Sequence, residues 1–193
     1  VYEGRLESTT VAASQEVDPF WDVDVRVRFT APSGRAIVVE AFWDGGHVWR
    51  FRFAPDEVGV WTWEVSSNLT EDEGLNGPTD RFRCEPYEGD NPLYRHGPVR
   101  LSENRRHLVW DDGAPFFWLA DTAWNGVLRA EASDWTRYLK IRREQDFTAV
   151  QFVSTQWRGG RDVLGEARAF EARASSEGAD HIRLNPAFFQ ALD

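Results

Sequence analysis

Residues 116–126 read FFWLADTAWNG. Five nearly unbroken apolar positions, Phe116 to Ala120, end on a carboxylate (Asp121), a hydroxyl (Thr122) and, after an alanine, an indole (Trp124). An apolar run of this length predicts a strand buried on both faces, as in a parallel sheet covered by helices. Ligands of such sheets meet the C-terminal ends of the strands, so the polar tail falls where a binding site would lie.

The flanks extend this reading. LVWDDGAPFFWL, residues 108–119, predicts a short hairpin turning at Asp112-Gly113, with the opening stretch as its second strand. Downstream, Ser133 is placed to cap a helix over DWTRYLKIRREQ, in which Trp135, Tyr138, Leu139 and Arg142 share a face. TAVQFVST, residues 148–155, is a second apolar, β-branched run. A long loop with Gly159, Gly160 and Gly165 follows. Asn185-Pro186 then starts another helix, with Asn as N-cap and Pro at the first helical position. Apolar strands alternating with helices predict parallel β/α packing.

The first half has a period of two. In FWDVDVRVRFTAP, Val23, Val25, Val27 and Phe29 alternate with Asp24, Arg26 and Arg28. RAIVVEAFW runs into the turn Asp44-Gly45-Gly46, and HVWRFRF returns with Trp49, Phe51 and Phe53 on one face. VWTWEV places Trp61, Trp63 and Val65 together, residues 67–80 form a polar loop, and RFRCEPY closes the set. This spacing predicts an antiparallel β-sandwich, with Asp56 to Trp61 as a structural corner of the immunoglobulin type. Residues 87–98, YEGDNPLYRHGP, lack a periodic pattern and read as linker.

Two β/α units cannot close a barrel, and their strands would lack neighbours on at least one edge. The sequence therefore reads as the front of a longer protein. The alternative is a complete protein whose strands join the sandwich or a second subunit.

Composition narrows the chemistry. The 193 residues are 41% hydrophobic and 28% charged, an ordinary globular balance. Ten Trp and thirteen Phe suit a β-rich core, sugar platforms, or both. A net charge of -10 without a basic run disfavours nucleic acid and anionic membranes. No stretch approaches the ~20 apolar residues of a membrane span. The single cysteine, Cys84, excludes an internal disulfide and a Cys-based zinc cluster. Four histidines (His47, His96, His107 and His181) lack metal-ligand spacing, and no nucleotide or nucleophile-elbow motif is present. The expected cofactor and metal are therefore none. VYEGRLESTT has no signal-peptide core, and the compartment stays open.

Two strand ends turn abruptly from apolar to polar beside a tryptophan: Asp121-Thr122-Ala123-Trp124 and Ser154-Thr155-Gln156-Trp157. Carboxylate and amide groups pair with sugar hydroxyls while an indole covers the ring face, so Asp121, Trp124, Gln156 and Trp157 are the candidate substrate-binding residues. The plain alternative is that Asp121 and Thr122 cap a loop and the tryptophans pack. Glycoside hydrolysis needs a pair of carboxyl groups. Asp162, Glu166, Glu171, Glu177 and Asp180 fall in the long loop and read as solvated charges, so no catalytic pair is assigned.

FWDGGHVWRFRFAPDEVGVWTWEVSSN resembles an immunoglobulin-like domain found N-terminal to bacterial glycoside hydrolases. DDGAPFFWLADTAWNG resembles the opening of the apiosidase-like catalytic barrel, and DWTRYLKIRREQDFTAVQF and NPAFFQALD resemble its following elements. The resemblance implies a (β/α)8 barrel acting on plant or microbial polysaccharides, with its catalytic carboxylates on strands beyond Asp193. It carries over Asp121 and Trp124 as pocket residues. The second strand end, QFVSTQWRGG, departs from the plainer apolar pattern of the family and leaves the sugar open.

The expectation is thus a multi-domain chain, β then α/β. An immunoglobulin-like antiparallel β-sandwich spans 1–88 and a linker 89–98. The first β/α units of an incomplete (β/α)8 glycoside hydrolase-like domain span 99–193. Its partner would be a carbohydrate substrate together with the missing C-terminal portion of the barrel. The piece alone would be inactive. The rival is a non-catalytic carbohydrate-binding or spacer sandwich, favoured by exposed coplanar tryptophans and disfavoured by buried ones. A third reading is an interaction domain pairing through its unfinished strands.

Overall fold

Val25, Val27 and Phe29 turn inward from β2 (Val25–Thr30), as their alternation predicts. The computed structural model that shows this describes residues 1–11, 17–155, 162–163, 166–173 and 181–193. The chain divides into two units, Val1–Glu88 and Gly89–Asp193.

In the first unit, β2 lies in a four-stranded antiparallel sheet with β3 (Ala36–Glu40), β6 (Gly59–Ser67) and β7 (Thr79–Cys84), in the order β3-β2-β6-β7. A three-stranded antiparallel sheet has the order β1-β5-β4, from β1 (Tyr2–Glu7), β5 (Val48–Phe53) and β4 (Phe42–Trp43). One core joins the two sheets. Phe29 of β2 stacks on Phe53 of β5 with centroids 4.0 Å apart, and Phe53 meets Trp61 of β6 edge-on at 5.0 Å. Trp49, Trp61, Phe29 and Phe51 are fully buried. Each such side chain contributes about 1.5–3 kcal/mol or more by leaving water. The Trp61 indole N–H donates to the Glu57 carbonyl at 2.9 Å, so the buried ring leaves no donor unsatisfied.

Three features of this unit differ from the sequence reading. β1 was not expected, although Tyr2, Gly4 and Leu6 alternate with Glu3, Arg5 and Glu7. Gly4 interrupts the apolar set because a Cβ there would lie 2.0 Å from Cζ of Phe51. The run RAIVVEAFW is two strands in different sheets: β3 pairs with β2, and β4 pairs with β5. The polar loop after β6 carries a fully buried acid, Asp72. Its carboxylate accepts the Ser8 and Thr10 hydroxyls and the backbone N–H groups of Thr9, Thr10, Gly74 and Leu75. Burial pushes this carboxyl up, but the Ser8 and Thr10 hydroxyls and the Thr9 and Thr10 N–H groups outweigh it and hold it well below the usual range.

The second unit begins with a 3₁₀ turn at Pro92–Tyr94, inside the stretch read as linker. An antiparallel sheet of order β10-β9-β8 follows, from β8 (Val99–Leu101), β9 (Leu108–Trp110) and β10 (Pro115–Phe116). The expected turn at Asp112-Gly113 closes it: Trp110 N–H donates to Ala114 O at 2.8 Å, and Gly113 has φ 87°. β11 (Ala120–Thr122) and β12 (Ala149–Gln151) then pair in parallel across α1 (Ala132–Glu144), with Asp121 opposite Val150. Hairpins β13 (Asp162–Val163) with β14 (Glu166–Ala167) and β15 (Phe170–Arg173) with β16 (His181–Leu184) precede α2 (Pro186–Leu192).

FFWLADTAWNG is therefore not one strand buried on both faces. β10 belongs to the antiparallel hairpin and β11 to the parallel pair, and between them Phe117 and Trp118 are 74% and 60% exposed. The α1 N-cap is Glu131 rather than Ser133, which lies in the first turn. Asn185 caps α2 with Pro at its start, as expected, while its side-chain amide donates to Arg168 O at 3.1 Å. The long loop holds β13 to β16 rather than unstructured chain. Val127, Leu128, Ala169 and Phe188 form the buried cluster of this unit.

Candidate functional site

The parallel register sets the site. Beyond β11 the Ala123 N–H donates to Gln151 O, and beyond β12 the Val153 N–H donates to Trp124 O, both at 2.8 Å. The two strand ends therefore leave the sheet side by side. The chain then turns at Gly126, where a Cβ would lie 2.9 Å from Trp135, and buries Val127 and Leu128. Trp124 rides on this anchored turn and is 53% exposed.

Asp121 faces α1. Its Oδ2 accepts the Tyr138 hydroxyl at 2.8 Å and the Nε of Arg142, and its Oδ1 accepts the Thr122 N–H at 2.8 Å. The Arg142 guanidinium, then the Tyr138 hydroxyl, hold the Asp121 carboxyl below the usual carboxylate range. Burial, followed by the same carboxylate, raises the Tyr138 phenol. Arg142 lies over the rings of Tyr138 and Phe147, at 5.0 and 5.4 Å from their centroids. Trp135 stacks on Tyr138 at 5.2 Å and meets Phe152 edge-on. Tyr138 and Arg142 are the residues sequence reasoning missed as partners of Asp121, although the face of α1 they share was visible in the periodicity.

This arrangement fixes the chemistry available to Asp121. It is ionised at neutral pH, so it accepts hydrogen bonds and has no proton to give. A carboxylate offers about four lone-pair sites, and three are taken here. Ser154 and Thr155 stand half-buried at the second strand end, whereas Gln156 and Trp157 lie outside the described residues. Of the loop acids, Asp162, Glu166 and Glu171 belong to β13, β14 and β15, and Glu177 and Asp180 lie outside the described residues. Among the described residues no group of three His, Cys, Asp or Glu is placed to hold a metal.

A cleft of about 470 Å³ lies at the other end of the parallel pair, lined among others by His96, Trp110, Phe116, Phe147 and Thr148. His96 Nδ1 sits 2.6 Å from Asp112 Oδ2. The Ala114 N–H and His96 hold Asp112 below its usual range. Nothing in the spacing of these residues announced the pair.

Residues 102–193 match the family of apiosidase-like catalytic domains. The second unit is thus similar to apiosidase-like catalytic domains over most of its length. Residues 3–68 match a domain of unknown function, DUF5060. Across both, the chain is similar in fold to a "putative glycoside hydrolase" from Bacteroides vulgatus ATCC 8482, with a TM-score of 0.72 and 24% identity. The alignment covers 99% of this chain and 36% of that one, so the chain spans about a third of its structural relative. No curated protein matches. The strand ends carrying Asp121 and Trp124 lie inside the apiosidase-like stretch, as does β11–α1–β12.

Proposed function

We propose that this chain is the front of a glycoside hydrolase, with a sandwich first and the opening of a (β/α)8 catalytic domain from residue 99. The observation that carries the reading is the parallel pair β11 and β12, joined by α1, within an apiosidase-like stretch and ending at an exposed tryptophan. The strand orders β1-β5-β4 and β3-β2-β6-β7 correspond to the B-E-D and C′-C-F-G orders of an immunoglobulin-type sandwich, which supports that label for residues 1–88.

In this reading Trp124 offers its ring face to a sugar, and Asp121, turned toward α1, anchors the strand end beside it through Tyr138 and Arg142. Gln156 and Trp157 complete the wall from the second strand end. Hydrolysis runs by two carboxyl groups, one protonating the leaving oxygen and one acting as nucleophile or base. Asp121 fills neither role, because Arg142 and Tyr138 keep it ionised and turned toward α1. Both catalytic carboxylates are assigned to protein outside these 193 residues, and the chain alone is inactive.

The test compares release of reducing sugar from plant and microbial polysaccharides by this chain and by the longer polypeptide of its gene. Turnover by the longer polypeptide alone supports the reading, and robust turnover of aryl glycosides by the 193-residue chain would contradict it. A sugar platform made by Trp49, Trp61 and Trp63 is disfavoured: Trp49 and Trp61 are fully buried, and Trp63 packs against the core with its indole N–H on the Tyr2 hydroxyl.

A further inference from the structure

The cleft at the start of the parallel pair is built from three segments fixed against one another. Trp110 and Phe116 of the β9–β10 hairpin meet edge-on, with centroids 4.8 Å apart. Phe147 follows Asp146, whose left-handed φ of 61° turns the chain out of α1, and the Arg142 guanidinium lies over its ring. Thr148 locks this turn to the end of the hairpin: its hydroxyl donates to Phe117 O at 2.9 Å and accepts the Leu119 N–H at 3.0 Å. His96 enters from the segment before β8. Gly97, with φ 76°, lets that segment close on the hairpin turn, since a Cβ there would lie 2.8 Å from Cβ of Asp111. His96 tilts over Trp110 at 5.9 Å and donates through Nδ1 to the ionised Asp112 carboxylate. Nε2 of the neutral ring is then an acceptor. Arg143 and Asp146, both exposed, complete the lining with opposite charges.

We propose that this cleft binds a sugar ring of an uncharged polysaccharide, as a second carbohydrate site away from the Trp124 turn. Its volume of about 470 Å³ falls in the range of small-molecule sites, about 300–1,000 Å³. Trp110, Phe116 and Phe147 are half-buried and supply the apolar ring surface on which the C–H face of a sugar packs. Around them stand an imidazole acceptor, a guanidinium donor and a carboxylate acceptor. Sugar hydroxyls both donate and accept, so one ring engages all three. The charges balance: Arg143 stands against Asp146, and His96 is already held by Asp112, so no net charge draws an ion. An apolar protein segment would take these polar groups out of water without partnering them. Because Thr148, Gly97 and the His96–Asp112 contact set the walls in advance, binding has little chain to order. The inference goes beyond the hydrolase reading, since it concerns retention at the opposite end of the parallel pair, and either can fail alone.

Affinity electrophoresis of the 193-residue chain in gels containing xyloglucan, glucomannan or mixed-linkage β-glucan tests it, with polygalacturonate as the charged comparison. The same gels are run with Trp124→Ala, with Arg143→Ala, and with the double variant His96→Ala/Arg143→Ala, each checked for its fold by circular dichroism. The cleft predicts retardation by at least one neutral polymer and none by polygalacturonate. Retardation should be unchanged in Trp124→Ala, severalfold weaker in Arg143→Ala and about tenfold weaker in the double variant. Undiminished retardation of both Arg143 variants, loss of retardation in Trp124→Ala, stronger retardation by polygalacturonate, or no retardation by any of the three neutral polymers would overturn it.

Discussion

The two units solve the burial problem differently. The first encloses Trp49, Trp61, Phe29 and Phe51 between two sheets and ties the loop after β6 to the chain just beyond β1 through Asp72. The second, among its described residues, buries Val127, Leu128, Ala169 and Phe188 and leaves Phe117, Trp118 and Trp124 largely exposed. A closed core tolerates change poorly, whereas exposed rings, which the first unit also carries at Phe20 and Trp21, leave apolar surface in water. The buried acid of the first unit, Asp72, is a structural device. The half-exposed acid of the second, Asp121, anchors a strand end through Tyr138 and Arg142.

Substitutions sharpen this contrast, from the largest effect down. Phe51→Ala is expected to destabilise the first unit by about 3–5 kcal/mol in urea unfolding, because it opens a cavity between sheets that cannot collapse. Asp72→Asn should cost about 1–3 kcal/mol, since its amide hydrogens would face the donors of Ser8, Thr9 and Thr10. Gly74→Ala strikes the same clasp, as its Cβ would lie 1.8 Å from Glu7 O, and a similar loss is expected. The two should not add, because they break one network.

Acidity separates the same acids. The folded-state pKa of Asp72 lies below its unfolded value, so its contribution is complete above about pH 4 and is lost as pH falls from there toward the folded value. Thermal unfolding below pH 4 should therefore steepen in the wild type and flatten in Asp72→Asn. Asp121→Asn is expected to reduce hydrogen-exchange protection in α1 and to leave the first unit's protection unchanged. Trp118→Ser should change stability by less than about 0.5 kcal/mol. A larger loss would mean that its edge-on contact with Phe116, with centroids 6.2 Å apart, holds the hairpin.

Much of this was written in local alternation. Val25, Val27 and Phe29, and Trp49, Phe51 and Phe53, announce their strands because one face of each meets a core. Asn185-Pro186 announces α2 because an N-cap and a fixed φ are local properties. What escaped is what contact at a distance decides. Asp72 is bound by residues 62 to 64 positions away and reads locally as one more polar loop residue. Gly4 hides β1 by making room for Phe51, a residue of another strand. The run from Phe116 to Thr122 is uniformly apolar up to its acid, so periodicity carried no mark of where the chain leaves one sheet and enters another. At the candidate site the strand-end logic singled out Asp121 and Trp124 as candidates, while the partners of Asp121 required the helix to be in place.

The central claim is that the Trp124 turn is one wall of a sugar site completed by protein outside these residues. It is tested most directly by measuring polysaccharide hydrolysis by the longer polypeptide of this gene, as wild type and as Trp124→Ala, beside the 193-residue chain. The account predicts turnover by the wild-type longer polypeptide, a loss of roughly tenfold or more in kcat/KM for Trp124→Ala, and none by the shorter chain. Unchanged kcat/KM in Trp124→Ala, or equal turnover by the 193-residue chain, would contradict it.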